Sequence, residues 1–408
     1  MIDYPDELNI IFDKLHKNNI RAIIVGGYVR DTLMGIDSKD IDVELYGVTS
    51  ISQLEDILRE FGDVNSVGKS FGVCMLKLKS LSIDFTLPRV DSKVASGHRG
   101  FDVTIKSGMD FKTAALRRDF TMNALGYDIQ KKELLDPYSG LKDLKEKILK
   151  EVDTTTFKED PLRILRAVQF CARFDLEMSS ALFSLCQDML KQDLLSELSQ
   201  ERVFAEYTKL LQSSKPSIGF KLLKELNILE VKDFNATMLS LDYFTNMKTE
   251  DSKTNIVVML TLLTHRLSNK ETLKFISQFS AEKKTFTRVL SLKKNHALLS
   301  HAIENNIKDL TLYKLAQKIK ISELLLVYSA INLSKEATNK LKQRAKKLNI
   351  LTAPLQPLIQ GRDIIKLGIK ASSEFSKILD EGYEAQMRAL FSSKEEAILW
   401  LKNYLQIS

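Results

Sequence analysis

Cysteine is scarce in this chain. Its three copies in 408 residues, Cys74, Cys171 and Cys186, are widely spaced and odd in number, which excludes a disulfide framework and the paired spacing of a zinc site. Long apolar runs are missing as well: none approaches the ~18 residues of a membrane span. The opening MIDYPDELN is acidic, whereas a secretory leader is basic and then apolar. The expectation is a soluble cytoplasmic protein with no membrane partner. Short repeats and low-complexity segments are also absent, and a hydrophobic fraction of 44% argues against disorder. The length suggests about two to four domains. Glycine is rare only in one part. Of 16 glycines, 12 fall within residues 1–140. Charge divides at the same place: residues 1–140 hold 18 basic and 21 acidic side chains, leaving 42 and 32 for the rest of a chain whose formal charge is +7. A turn-rich acidic front is joined near Gly140 to a glycine-poor basic remainder. The net charge is too small a fraction of the chain to name a partner.

Hydrophobic spacing gives the elements. Residues 6–19 carry Leu8, Ile11, Phe12 and Leu15 at helical spacing. Ala22–Val25 reads as a strand stopped by Gly26-Gly27 and followed by a short helix from Tyr28 to Met34. Ile41–Leu45 alternates apolar and acidic, the strand period of two. Ser50 caps a helix running to Phe61. Val73–Leu78 and Leu81–Phe85 read as strands around a turn at Lys79-Ser80, and residues 88–108, with three glycines and mixed charge, as a loop. Alternating strands and helices followed by neighbouring strands indicate an α/β or α+β front domain. Beyond Gly140 the pattern is helical: Pro161–Phe174, Ala181–Leu190, Gln200–Leu211, Ile218–Ile228, Ile256–Leu267, Leu310–Ile319 and the Lys/Arg-rich Glu336–Leu348. Ala353-Pro354 and Gln356-Pro357 mark a joint, and 361–404 form a last helical unit.

Two features carry chemistry. Gly26-Gly27, between a strand and a helix, lets backbone approach a phosphate closely, and the amides of a helix start favour negative charge. Taken alone, such a pair is equally an ordinary tight turn. Asp40 and Asp42 stand two apart on a strand, so their carboxylates share a face. Paired hard oxygens suit Mg²⁺, which completes its shell with water and substrate phosphates, and such ions assist phosphoryl transfer. The bare pattern also fits two solvated acids. Together, a phosphate turn and an acid pair across one strand–helix–strand unit are what a nucleotide-dependent transferase needs. Arg117-Arg118 precedes Asp119 and Phe120–Leu125, which places a basic pair at a helix N-terminus, where the dipole is unfavourable. In Glu159–Arg166, Asp160 is a good N-cap and Pro161 fits N1. Further on, Arg163, Arg166, Gln169 and Arg173 form one polar stripe, with Ile164, Leu165, Val168 and Phe170 on other faces; the spacing alone fits a solvated charged face.

VGGYVRDTLMGIDSKDIDVELYG resembles the first signature of the nucleotidyltransferases, more narrowly of class II CCA-adding tRNA nucleotidyltransferases and bacterial poly(A) polymerases. The resemblance continues through VGKSFGVCMLKL, IDFTLPR…GHRGF, LRRDFTMNALGYD, LLDPYSGLKDL and EDPLRILRAVQFCARF, with weaker likeness in PLIQGRDIIKLGI…LDEGYEAQ. It implies an α+β fold, with a catalytic head at 1–139 in which a mixed sheet is flanked by helices, a helical neck at 140–212, a tRNA-binding helical body at 213–350 and a helical tail at 351–408.

The implied activity is template-independent transfer of nucleotides from CTP and ATP to the 3′ end of tRNA, with release of pyrophosphate. Poly(A) polymerase or partial (CC-only or A-only) activity is the alternative within that chemistry, and a non-catalytic RNA-binding module the alternative of another class. The resemblance assigns Asp40 and Asp42 to the Mg²⁺ cofactor and Gly26, Gly27, Arg30, Arg118 and Asp119 to the nucleotide's phosphates and ribose. Asp160 and Arg163 would read the base edge, while Arg166 would support that helix or contact phosphate. Asp84 is a possible third catalytic carboxylate or a residue that orients the following loop, Arg89 to Phe101, which is implied to switch C to A addition; His98 and Arg99 would order it. Many relatives carry Arg where this chain has Gln169, which puts one phosphate contact in question. Some relatives also have a His-Asp phosphohydrolase domain. That dipeptide is absent among the five histidines here, so no such metal site is expected, and His265 reads as a core or surface histidine.

Overall fold

A computed structural model describes residues 2–48, 50–65, 72–79, 81–93, 101–105, 108–305, 307–369 and 374–407. The Lys79-Ser80 turn and the loop holding His98 and Arg99 therefore lie partly outside the described residues. The chain divides into two compact units, Met1–Leu229 and Glu230–Ser408.

The first unit opens with α1 (Asn9–Lys17), β1 (Arg21–Val25), α2 (Gly27–Leu33), β2 (Ile41–Tyr46), α3 (Ile51–Leu58), β3 (Asp63–Asn65), β4 (Val73–Lys77) and β5 (Ser82–Thr86). It continues through β6 (Arg89–Lys93), β7 (Phe101–Ile105), α4 (Phe111–Ala115), β8 (Gly126–Asp128) and β9 (Glu133–Leu135). Seven strands form one mixed sheet in the order β3-β4-β5-β2-β1-β8-β9. Only the β2–β5 pairing is parallel within it. Strand alternation sorts the side chains. Ile41, Val43, Leu45, Ile83 and Phe85 face a core made with Leu8, Ile11, Phe12 and Leu15 of the opening helical turns and Leu54, Ile57 and Leu58 of α3. Ile23, Val25 and Tyr46 face the other way, under Phe111, Ala114 and Ala115 of α4. Because α4 covers only that end, Asp42 on the same face stays open to solvent.

Beyond the sheet come α5 (Gly140–Lys145), β10 (Ile148–Leu149), α6 (Thr154–Lys158), α7 (Leu162–Phe174), β11 (Glu177–Met178), α8 (Ser180–Lys191), α9 (Gln200–Gln212) and α10 (Pro216–Glu225). Helix α7 packs against α9 and α10. Phe120 ties α7 to the sheet domain through edge-on contacts with Phe157 (5.9 Å) and Phe170 (5.6 Å); aromatic pairs in this geometry add to the burial of their area.

Four expectations are corrected. Residues 88–108 are not simply a loop, because β6 and β7 pair antiparallel from Arg89↔Ile105 to Lys93↔Phe101; the glycines that suggested a loop lie outside those strands. Arg117-Arg118 does not sit at a helix N-terminus. It follows the C-terminus of α4, whose last amide bonds include Arg118 N–H to Ala115 O (3.0 Å), and there the dipole favours cations. Helix α7 starts at Leu162 with Pro161 in the cap position, one residue late. Nor is it half solvated: Gln169 is 1% exposed, and Ile164, Val168 and Phe170 are buried too, because neighbours pack around most of its circumference.

The second unit is built from α11 (Phe234–Thr245), α12 (Ser252–Thr264), α13 (Asn269–Ile276), α14 (Lys283–Asn305), α15 (Asp309–Ala316), α16 (Ile321–Ile331), α17 (Glu336–Lys347), α18 (Gly361–Lys366), α19 (Glu374–Met387) and α20 (Lys394–Tyr404). The last three share a small core of Ile359, Ile364, Ile378, Phe391 and Leu401. Among the described residues no helix is long and apolar enough to cross a membrane.

Candidate functional site

Strand register fixes the acids. Asp42 lies opposite Val25 on one side and Asp84 on the other, and Asp84 lies opposite Met75. Cross-strand partners share a face, so the two carboxylates stand side by side on the face away from the main core. Asp40 is exposed, just before β2. The surrounding protein mass raises the Asp42 carboxyl above its ordinary value; Arg118 opposes the shift and Asp84 and Asp40 add to it. Asp84 is raised by partial burial and then by Asp40. A cation placed among these carboxylates would relieve both shifts. Among the described residues no three His, Cys, Asp or Glu side chains gather into a metal cage. The acids therefore offer a partial shell of hard oxygens, which suits an ion that keeps water and binds phosphate.

The glycine turn meets the acids at Val25. Gly26 has φ +72°, a conformation that requires glycine, and a Cβ there would stand 2.7 Å from Arg118 Nη1 and push that guanidinium aside. Arg118 Nη1 donates to Asn123 O (3.2 Å), while Arg117 donates to buried Glu44 Oε2 (3.0 Å). Tyr46 hydroxyl donates to the other Glu44 oxygen. Arg30 is buried. It pairs with Asp31 (2.6 Å), donates to Asn123 Oδ1, and lies 4.6 Å from the Phe174 ring centre.

The α7 residues converge on the same space. Asp160 Oδ1 accepts Leu162 N–H (3.2 Å), and Oδ2 accepts from Arg202 on α9 (2.9 Å). Arg163 donates to Thr156 O (2.8 Å) and Arg117 O (2.6 Å), and burial lowers its proton affinity. Arg166 Nε donates to Asp119 Oδ2 (2.7 Å). Burial opposes ionisation of Asp119, but Arg166 and Asn123 outweigh it and hold the carboxyl below the usual range.

These groups line one cleft of about 420 Å³. It holds Asp42, Gly26, Gly27, Arg30, Arg118, Asp119, Asp160, Arg163 and Arg166 together with Arg117, Asn123, Phe170 and Arg202. Asp40 and Asp84 lie beside this lining. Gln169 is buried behind it, and its Oε1 meets no donor among the described residues. Phe170, expected on another face, floors the cleft under Arg30 and Arg166, each 5.2 Å from its ring centre. Glu44 and Arg202 escaped the sequence reading. Glu44 continues the D-x-D alternation and was visible in that pattern; Arg202 lies 42 positions from its partner and has no local signal.

Residues 22–150 match the family described as poly A polymerase head domain, and residues 175–234 match a probable RNA and SrmB-binding site of polymerase A. Together these two matches cover less than half of the chain. The chain is 35% identical over 215 residues to the multifunctional CCA protein of Aliivibrio salmonicida (strain LFI1238), which covers 52% of this chain and 50% of that protein. It spans about half the length of the curated relatives it matches. Among solved structures, a CCA-adding enzyme in complex with CTP has TM-score 0.70 at 20% identity, over 99% of this chain and 95% of that one. The Thermotoga maritima CCA-adding enzyme complexed with tRNA has TM-score 0.69 at 21% identity, over 99% and 97%. These likenesses establish the fold.

Proposed function

We propose that the chain is a CCA-adding tRNA nucleotidyltransferase, which takes CTP and ATP and extends the tRNA 3′ end. The observation that carries this reading is the placement of Asp160 and Arg163 in the cleft that also holds Asp42 and the glycine turn. Each Asp160 oxygen accepts one protein hydrogen bond, which leaves lone pairs for an exocyclic amine. Arg163 spends one N–H of each terminal nitrogen on backbone carbonyls and keeps others for a ring acceptor. Cytosine and adenine both present an amine beside an acceptor; uracil and guanine present the opposite edge and would leave buried groups unpaired.

In the reaction the terminal 3′-hydroxyl attacks the α-phosphorus in line, a new phosphodiester P–O bond forms, the α–β bridge breaks and pyrophosphate leaves with its electron pair, the hydroxyl proton passing to solvent. Asp40 and Asp42, with Asp84 beside them, would hold Mg²⁺, which would supply activation of the attacking hydroxyl and charge stabilisation at phosphorus. Gly26 and Gly27 let the phosphates approach the backbone, and Arg118 and Arg117 meet their charge. Arg30, Asp119 and Arg166 brace these groups, so that positioning and electrostatics carry the rate. The head is assigned to 1–139, the neck to 140–212, the body to 213–350 and the tail to 351–408. The basic helical remainder binds tRNA mainly through its phosphates and shape. The three cysteines are buried and none forms a disulfide, which suits the reducing cytoplasm.

The base-reading claim is tested with Arg163→Ala. Preference for CTP and ATP over UTP and GTP is expected to fall by about tenfold or more in kcat/KM. Unchanged selectivity would remove Arg163 from that role.

A further inference from the structure

Glu44 is the acid that the D-x-D pattern passes over. It stands on β2 two residues beyond Asp42 on the same face and is 1% exposed. One oxygen accepts from the Tyr46 hydroxyl. The other lies 3.0 Å from Arg117 Nη2 and 3.7 Å from Arg118 Nη2. Arg118 is thereby held from two sides, by Glu44 and by Asn123 O, and its Nε is buried without a partner. Its guanidinium nevertheless lines the same cleft as Asp42 and is the charge that most opposes the rise in that carboxyl's proton affinity. No ion pair joins Arg118 to Asp42 among the described residues; its carboxylate partner is Glu44.

We infer that Glu44 is a positioning residue that holds Arg117 and Arg118 over the glycine turn and keeps Arg118 from collapsing onto Asp42. Asp42 then stays available to a divalent cation, and the two arginines to the incoming phosphates. A buried carboxylate between two guanidiniums neutralises them before substrate arrives. Without its charge, Arg118, desolvated and crowded by Arg117, turns to Asp42, the acid that acts on it most strongly after Glu44 and lines the same cleft. The inference rests on the transferase reading above for the roles of Asp42 and the arginines.

The test is nucleotide-free Mn²⁺ binding followed by electron paramagnetic resonance on the full chain. Glu44→Gln keeps the size and removes the charge, and is expected to bind Mn²⁺ at least about fivefold more weakly, with the Mg²⁺ half-saturation of nucleotide incorporation rising in parallel. Glu44→Asp keeps the charge and is expected to stay within about twofold of the native chain. Arg118→Ala is expected to bind Mn²⁺ at least as tightly as the native chain, and Glu44→Gln added to it to cause no further loss, because the effect runs through Arg118. Native Mn²⁺ affinity in Glu44→Gln, equal losses in Asp and Gln, weaker binding by Arg118→Ala, or the same loss with and without Arg118 would each overturn the inference. The Arg118→Ala measurement stands even if Glu44→Gln melts early. A native chain that binds Mn²⁺ as described but transfers no nucleotide would count against the transferase reading and leave this inference standing.

Discussion

Asp42 and Asp119 lie in one cleft and carry opposite electrostatic loads. Asp42 is raised by its surroundings and by Asp84 and Asp40, so its ionised form opposes folding, and that cost appears as pH rises through the raised value. Asp42→Asn is expected to raise the melting temperature at neutral pH, with the gain fading in acid, while incorporation falls by about a thousandfold or more; calorimetry and a labelled-CTP assay read the two effects. Asp119 is lowered through Arg166 and Asn123. Its contribution is present above the unfolded-state value and is lost as pH falls through the folded one, so Asp119→Asn is expected to lower the melting temperature at neutral pH and to make little difference in strong acid. Gly26→Ala forces a side chain into φ +72° and into Arg118 Nη1. A cost of about 1–3 kcal/mol and weakened CTP binding are expected in denaturant titration and equilibrium binding. The D-x-D pair and the Gly-Gly turn were legible because each is local: two residues on one strand, two in one turn. Glu44 was overlooked although local, and the burial of Arg30 and Gln169 depends on Phe170, Phe174 and the packing around α7, which no short window displays.

Helix α9 brings Arg202 to Asp160. Arg202→Ala is expected to leave the fold in place and lower kcat/KM for CTP and ATP by about three- to tenfold, the worth of a half-exposed charged hydrogen bond; steady-state kinetics with each nucleotide checks it. The start of α5 is equally constrained: a Cβ on Gly140 would lie 2.2 Å from the Thr121 carbonyl oxygen. Gly140→Ala is expected to cost about 1–3 kcal/mol in urea unfolding, since backbone beside Asp119 must shift. Legibility of elements follows their amphipathy. Helices α7, α9 and α17 showed clear stripes and were placed to within a few residues. Helices α11 and α16 are apolar on most sides, and α14 mixes lysines with weakly periodic apolar residues, so none offers a stripe to read. Strand β7 alternates in sequence, with Phe101, Val103 and Ile105, but β6 does not, and the glycines around them dominated the pattern.

Across the molecule, the cleft is lined by both the acidic front and the first helices of the basic remainder, and that remainder also contains the second unit's helices. Binding of tRNA through phosphates implies a steep loss of affinity with salt; filter binding between about 50 and 200 mM is expected to show a loss of at least tenfold. The boundary near Gly140 was readable from glycine and charge distribution and the helical remainder from hydrophobic spacing, whereas the pairing of Asp42 with Asp84 needed the parallel β2–β5 register, which links segments some forty residues apart. The most direct measurement is the product made on tRNA lacking its terminal CCA, with Mg²⁺ and all four nucleotides, resolved by length and sequence. Growth by C, C and A followed by a stop is the expected result. A long adenylate tail, a stop after CC, addition of A alone, or no product at all would contradict it.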